Sequence, residues 1–334
     1  MACKPGRGRW LLGVTTVLLF VHAWPSGLIA GGSDVFVCVL GSPSSAFGFA
    51  NFGSGNGFRA FAVQTFVCNG GDTGASWVHD TNQHPVIGQN MYRLRNGRFE
   101  QIGQAWVKHG FFAETDSGCT TCITPNPDDG TILGVGCCDV YGAVLNGTQA
   151  VLGPKSEINA STGVFPYPFC QTPCPSPLNV EDRRLQVAES DLDTDPAVHY
   201  FMEGQYLIPD DCAASPRTDF NNASYRRIGI DSNLSLSGWI GSTAPGSPAI
   251  LAWGAADAAV STVTVDIPND GRFYIAAKAT DLGSGQWHYE YAVHNLNSDR
   301  SGARFTVPIA PRGRCQQCGI SRGGLSQRRA VRQY

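Results

Sequence analysis

His84, Glu100, Lys108 and His109 lie within one short stretch, HPVIGQNMYRLRNGRFEQIGQAWVKHGFF, the densest group of acid and base types in the chain. A carboxylate and an imidazole within hydrogen-bond reach can pass a proton to and from a substrate, or hold a metal that activates water. The chemistry they would support is proton transfer or metal-assisted hydrolysis. It requires the four side chains to converge, and Arg93 competes for Glu100, because a tight turn at Asn96-Gly97 sets those two opposite each other.

A second set consists of oxygen ligands. Asp191, Asp193 and Asp195 alternate like the first three ligands of a calcium loop, but Pro196 stands where the loop needs Gly and Met202 where it needs Glu. The expectation is an irregular calcium site, with a solvated acidic loop as the alternative. His288 and Glu290 share one face of a strand and could share an ion, whereas His294 lies roughly 20 Å further along. Cys119-x-x-Cys122 followed by Cys137-Cys138 has the spacing of a zinc ribbon.

The compartment decides how the cysteines are read. Lys4, Arg7 and Arg9 precede an apolar run from Trp10 to Ala23, the order of a signal peptide, so residues 1–30 are assigned as a leader. Export favours disulfides over zinc. Cys38, Cys68, Cys119, Cys122, Cys137, Cys138, Cys170, Cys174 and Cys212 are therefore disulfide candidates, and their odd number leaves one thiol over or pairs it with the tail. No later apolar run is long enough to span a bilayer, so the mature chain is expected to carry no membrane span.

The elements that must position these residues are strands. In MYRLRNGRFEQI a two-residue loop pairs Tyr92 with Gln101, Arg93 with Glu100, Leu94 with Phe99 and Arg95 with Arg98, putting an ion pair on one face and a mostly apolar face on the other. VTVDIPNDGRFYIAA reads as a second hairpin, with Asn269-Asp270-Gly271 as its loop and Ile267 opposite Phe273. WHYEYAVHN alternates Trp287, Tyr289, Tyr291 and Val293 with His288, Glu290 and His294. SLSGWIG and RFTVPI also read as strands, and a short helix is expected from Ser247 as cap. The fold class expected is all-β: an antiparallel β-sandwich or jelly-roll-like body, stapled by disulfides, with few or no helices outside the leader.

The 334 residues include 40 Gly and 20 Pro, and only 15% are charged while 42% are apolar, which excludes a wholly disordered chain or a charged coiled coil. Phe165 to Pro177 is the one stretch that reads as a linker, dividing an N-terminal β-rich region, 31–170, from a C-terminal β-sandwich region, 178–310. Residues 311–334 hold six Arg and no acid, and read as a basic disordered tail. The strand-like text stops abruptly after FTVPIAP, which also fits a shifted reading frame. Setting aside the leader's three basic residues and the tail's six leaves 15 Lys and Arg against 27 acids. A body so acidic repels phosphate backbones, which excludes nucleic acid as its partner and favours cations such as calcium.

HPVIGQNMYRLRNGRFEQIGQAWVKHGFF, LGVGC, GPKSEINASTGVFPYPF and WHYEYAVHNLNSDRS together resemble a group of large secreted bacterial β-rich proteins with no assigned activity. The resemblance spans most of residues 34–310 and implies an extracytoplasmic module, secreted, periplasmic or on the cell surface. The function expected is an extracellular binding or structural module, with a glycan or cell-surface component as partner. The alternative is a metal-assisted extracellular hydrolase.

Overall fold

The computed structural model describes residues 31–42, 48–171 and 174–307; the leader and the basic tail lie outside the described residues. The chain begins with β1 (Val35–Leu40), β2 (Phe49–Gly55), β3 (Phe58–Val63), β4 (Thr65–Asn69), β5 (Ala75–Ser76), β6 (Val86–Arg95), β7 (Arg98–Gln104) and β8 (Val107–Lys108). It continues with β9 (Ile132–Leu133), β10 (Cys138–Tyr141), α1 (Ala143–Asn146), β11 (Leu152–Gly153), β12 (Leu185–Ala188), β13 (His199–Leu207) and α2 (Pro209–Ala213). Last come β14 (Ala223–Ile230), β15 (Leu236–Ala244), α3 (Leu251–Ala256), β16 (Ser261–Asp266), β17 (Arg272–Gly283) and β18 (Gln286–Asn295). The protein is all-β and antiparallel, and no helix among the described residues is long and apolar enough to cross a membrane.

Ten strands form one sheet in the order β15-β14-β13-β6-β7-β12-β3-β2, with β8 bonded to β6 and to β11. The sheet curls until its two edges meet. The Asn51 side-chain amide on β2 donates to the Leu236 carbonyl of β15 at 3.0 Å, and the Asn51 oxygen accepts from the Leu236 N–H at 2.9 Å. One side chain thereby makes the pair of bonds that a neighbouring strand would have made. Because strands from both sides of Phe165–Pro177 hydrogen-bond within this sheet, that stretch joins parts of one sheet rather than parting two.

The curl has a core on each side. Inside it, Phe61, Met91, Ile102 and Met202 pack against Val35, Val37 and Val67 of a three-stranded sheet, β1-β4-β10. Outside it, Tyr92, Phe99 and Phe201 are covered by Trp253 of α3 and by Tyr274 and Ala276 of a second three-stranded sheet, β16-β17-β18. The central strands β6 and β13 are consequently buried on both faces, and their polar residues must find partners inside the protein. Gln89 does so by bonding both the N–H and the carbonyl of Val63, at 2.9 and 2.7 Å.

The β6–β7 hairpin has the register read from its sequence, with Asn96 and Gly97 at φ 52° and 75° and Arg93 opposite Glu100. The β16–β17 hairpin is shifted by two residues from the expectation: Val265 faces Phe273 and Ile267 bonds Gly271. Its turn is Ile267-Pro268-Asn269-Asp270, with Asn269 at φ 57°, because Pro favours the second turn position and Asn tolerates positive φ at the third. The helix expected from Ser247 begins only at Leu251, and Ser247 bonds the Pro245 carbonyl instead of capping it. RFTVPI does not form a strand over residues 304–307.

Four disulfides hold the described residues: Cys38–Cys119, Cys68–Cys138, Cys122–Cys137 and Cys170–Cys174. Among the described residues Cys212 is the thiol left over. The zinc-ribbon spacing is thus distributed over three separate bonds.

Close approach between strands yields a test. A Cβ on Gly103 of β7 would lie 2.6 Å from the Gln186 carbonyl and from Val187 Cγ2 on β12, whereas one on Gly142 would meet nothing within 4 Å. Gly103→Ala is expected to lower stability by about 1–3 kcal/mol in urea unfolding, with Gly142→Ala within about 0.5 kcal/mol of the parent. Equal midpoints would contradict the β7–β12 packing.

Candidate functional site

The structure gathers part of the acid–base set and separates the rest. His84 and His109 meet edge to face, with ring centroids 5.5 Å apart, inside a cluster that includes Phe111, Phe165 and Phe169. His84 Nδ1 donates to the Pro85 carbonyl at 2.6 Å and its Nε2 faces the Gly110 N–H at 3.4 Å, so its neighbours fix a neutral tautomer. His109 stacks on Phe169 at 4.3 Å, and its Nδ1 finds no hydrogen-bond partner among the described residues. Burial pushes the His109 imidazolium down to about 3 and lowers His84 as well. Both rings are sealed from solvent and serve as packing groups.

Lys108 adjoins this cluster with its ammonium over the Tyr141 ring at 4.0 Å and the Phe111 ring at 4.9 Å. Burial pushes it down to about 8, opposed by the buried Asp139, whose own pKa burial raises well above the carboxylate range. Glu100 lies elsewhere. It pairs with Arg93 and sits 3.7 Å from Arg98, at a point six residues along β6 from Ile87, which faces Lys108. That separation is roughly 20 Å along the strand. The proton-transfer pair expected of Glu100 and a histidine is therefore not assembled, because the hairpin gives Glu100 to the arginines.

The acidic loop is also spent on arginines and on its own turns. Asp191 lies 3.4 Å from Arg93 and Asp193 3.3 Å from Arg95, while Asp193 and Asp195 accept the N–H groups of Asp195 and Ala197. The three carboxylates do not converge on a calcium position. Among the described residues the one trio of ligand atoms within 4.8 Å of one another is the sulfurs of Cys38, Cys68 and Cys119, all in disulfides. His288 and Glu290 do touch, at 2.9 Å, and Glu290 also approaches Arg98 at 3.9 Å.

The best-connected polar site was not legible as such. Glu203, in the middle of β13, is buried and accepts from Asn90 Nδ2 at 2.9 Å, from the Tyr92 hydroxyl at 3.0 Å and from the Ala249 N–H at 2.7 Å. His294 Nε2 stands 3.9 Å away, and Asn90 Oδ1 accepts from Lys155 at 2.9 Å and from Gln101 at 3.1 Å. These residues come from separate segments of the chain. The one local signal is a Glu inside the apolar run HYFMEGQYLIP.

The opposite face of β18 is open. Trp287, Tyr289 and Tyr291 form a file with centroids 6.5 and 6.4 Å apart and rings within 28° and 13° of parallel, and they are 52%, 55% and 37% exposed. Their cross-strand neighbours on β17 are Asp281, Ala279 and Ala277, so a wall of rings stands beside a floor of methyl groups. Phe305 meets Tyr291 at 5.3 Å and extends the apolar surface. This is the aromatic alternation read in WHYEYAVHN, and it points outward. No family model, curated protein or solved structure matches the chain.

The buried imidazoles set a pH dependence. With the His109 pKa depressed in the folded state, the unfolded chain binds the extra proton, so this contribution to stability is complete above about pH 6.5. It is lost as pH falls toward 3, by about 1.4 kcal/mol per pH unit for one histidine. His109→Phe, which keeps the stack on Phe169, is expected to gain stability over the parent progressively from pH 6.5 to 4.5 in urea midpoints. A constant difference across that range would show that His109 does not carry the effect.

Proposed function

We propose that this chain is an extracellular binding module that grips a neutral glycan on the outer face of the β16-β17-β18 sheet. The observation that carries the reading is the exposed file of Trp287, Tyr289 and Tyr291, large rings that would ordinarily be buried. Hexoses with equatorial hydroxyls have flat C–H faces that stack on such rings, while their hydroxyls need polar groups at the edge. The tyrosine hydroxyls and Asp281 supply them, and Ala277 and Ala279 leave space for a sugar ring beside the wall. The file itself carries no cation, which suits an uncharged chain rather than a phosphorylated one.

Four disulfides and the charged-then-apolar order of the first 23 residues support a place outside the cytoplasm, in the periplasm, at the cell surface or beyond it. The hydrolase alternative loses its support, because Glu100 is parted from the histidines and the acidic loop is occupied by arginines.

The test is binding to a panel of insoluble and arrayed β-linked glucans, chitin and cell-wall glycans. At least one is expected to retain the protein, with Trp287→Ala, Tyr289→Ala and Tyr291→Ala each weakening it about 5- to 10-fold, roughly 1–1.4 kcal/mol, while the circular dichroism stays unchanged. Failure on the whole panel, or undiminished binding by all three variants, would overturn the reading. So would a stable dimer that the three substitutions dissolve, since a second copy would then own the face.

A further inference from the structure

We infer that Lys155 and Asn90 become joined by an intramolecular amide bond, with Glu203 as its acid–base catalyst. Asn90 stands between the other two side chains and touches both. Lys155 Nζ is 2.9 Å from Asn90 Oδ1, and Asn90 Nδ2 donates to Glu203 Oε1 at 2.9 Å. The amide is oriented by its neighbours, because the lysine faces its oxygen and the carboxylate faces its nitrogen. Gln101 Nε2 donates to the same Oδ1 at 3.1 Å, where negative charge would develop. The Tyr92 hydroxyl and the Ala249 N–H fix the position of Glu203.

The step balances without a cofactor or a change of oxidation state. The free amine of Lys155 attacks Asn90 Cγ and forms the new C–N bond, and the electron pair of the carbonyl moves to Oδ1, beside Gln101. With both nitrogens now on the one tetrahedral carbon, Glu203, which already holds Nδ2 at 2.9 Å, carries one proton from the attacking nitrogen to Nδ2, the Cγ–Nδ2 bond breaks, and the nitrogen leaves as ammonia. A primary amine and a primary amide thus give a secondary amide and ammonia. Effective concentration favours it, since the amine is already held 2.9 Å from the oxygen of the amide it would attack and needs no diffusive encounter.

The surroundings suit this chemistry. Burial pushes the Lys155 ammonium down to about 8, so free amine is present near neutral pH. Asn90 and Tyr92 belong to the doubly covered strand β6, where burial keeps bulk water from competing for the amide. The link would tie the segment after β11 to β6, closing a loop between residues 65 apart in sequence. It is a covalent brace of the same kind as the disulfides, but one that reducing agents cannot open.

Peptide mapping of the full chain, purified in its folded, secreted form and then reduced and alkylated, decides the matter. The expected result is a branched peptide joining the Asn90 and Lys155 segments, lighter than their sum by one ammonia, with no tryptic cleavage after Lys155. Unlinked peptides of full mass, cleaved at Lys155, would overturn the inference. Glu203→Gln keeps the shape of the side chain and is expected to slow linkage roughly 100-fold or more. A folded Glu203→Gln protein that links at the parental rate would remove the catalytic role. Should that variant not fold, the map of the parent protein still distinguishes a linked chain from an unlinked one, and Lys155→Arg, which cannot form the amide, serves as the unlinked standard.

Discussion

A carboxylate buried in the middle of a sheet has to be satisfied on every side, and most of this architecture is consistent with that demand at Glu203. An unpaired charge there would cost several kcal/mol, comparable to the whole stability of many domains. Its bonds to Asn90 and Tyr92 fix β6 beside β13 in a single register, since a slip of one residue would carry Glu203 to the inner core among Met91 and Met202. Its bond to the Ala249 N–H anchors the turn that enters α3, a helix with no side-chain cap of its own. His294 on β18 completes the surround, so the outer three-stranded sheet is seated by the same group that registers the large one.

The same device recurs where the curl brings backbone edges together. Asn51 closes the sheet by pairing with Leu236, Gln89 pairs with Val63, and Asp211 accepts from Ser33, Asn222 and the Val35 N–H to seat β1. In each case a side-chain amide or carboxylate stands in for a strand that the curvature leaves no room for. Asp211 bears the cost of this position, since burial pushes its pKa up to about 7. The disulfides act on another region. Cys68–Cys138 locks β4 to β10 and Cys38–Cys119 ties β1 to the long loop beyond β8, so they clamp the inner sheet that fills the curl.

What was legible in the sequence was whatever local rules decide. Asn96-Gly97 can hardly form anything but a tight turn, and the Arg93/Glu100 pair then checks the register independently. At β16–β17 periodicity alone was available, and a shift of two residues keeps every side chain on its face, so the pattern could not distinguish the Asn269-Asp270-Gly271 loop from the Pro268 turn that forms. The odd cysteine was countable, although its identity as Cys212 depends on which thiols the strands bring together. The acid–base set failed for a different reason: His84, Glu100 and His109 are close in sequence, but a strand of about ten residues separates its ends by more than roughly 25 Å. Glu203, Asn90, Lys155 and His294 are distant in sequence and each resembles an ordinary strand or loop residue, so their meeting is a property of the topology alone.

The two faces of β18 then have opposite meanings from the usual ones. In a strand at the surface of a small sheet the polar alternation faces water and the rings face the core. Here Glu290 and His294 turn toward the main sheet, where Arg98, Glu203 and Tyr92 meet them, while His288 stays exposed and touches Glu290, and the rings of Trp287, Tyr289 and Tyr291 turn out. The inversion accompanies the inner contacts, because from this face His294 reaches the Tyr92 hydroxyl at 3.3 Å and Glu203 at 3.9 Å. Once His294 is fixed inward, period-two alternation sends Tyr289 and Tyr291 outward whatever lies there. The buried carboxylate and the open aromatic face are therefore two consequences of one strand orientation, and a ligand on the outer face would rest on a sheet whose position the inner network holds.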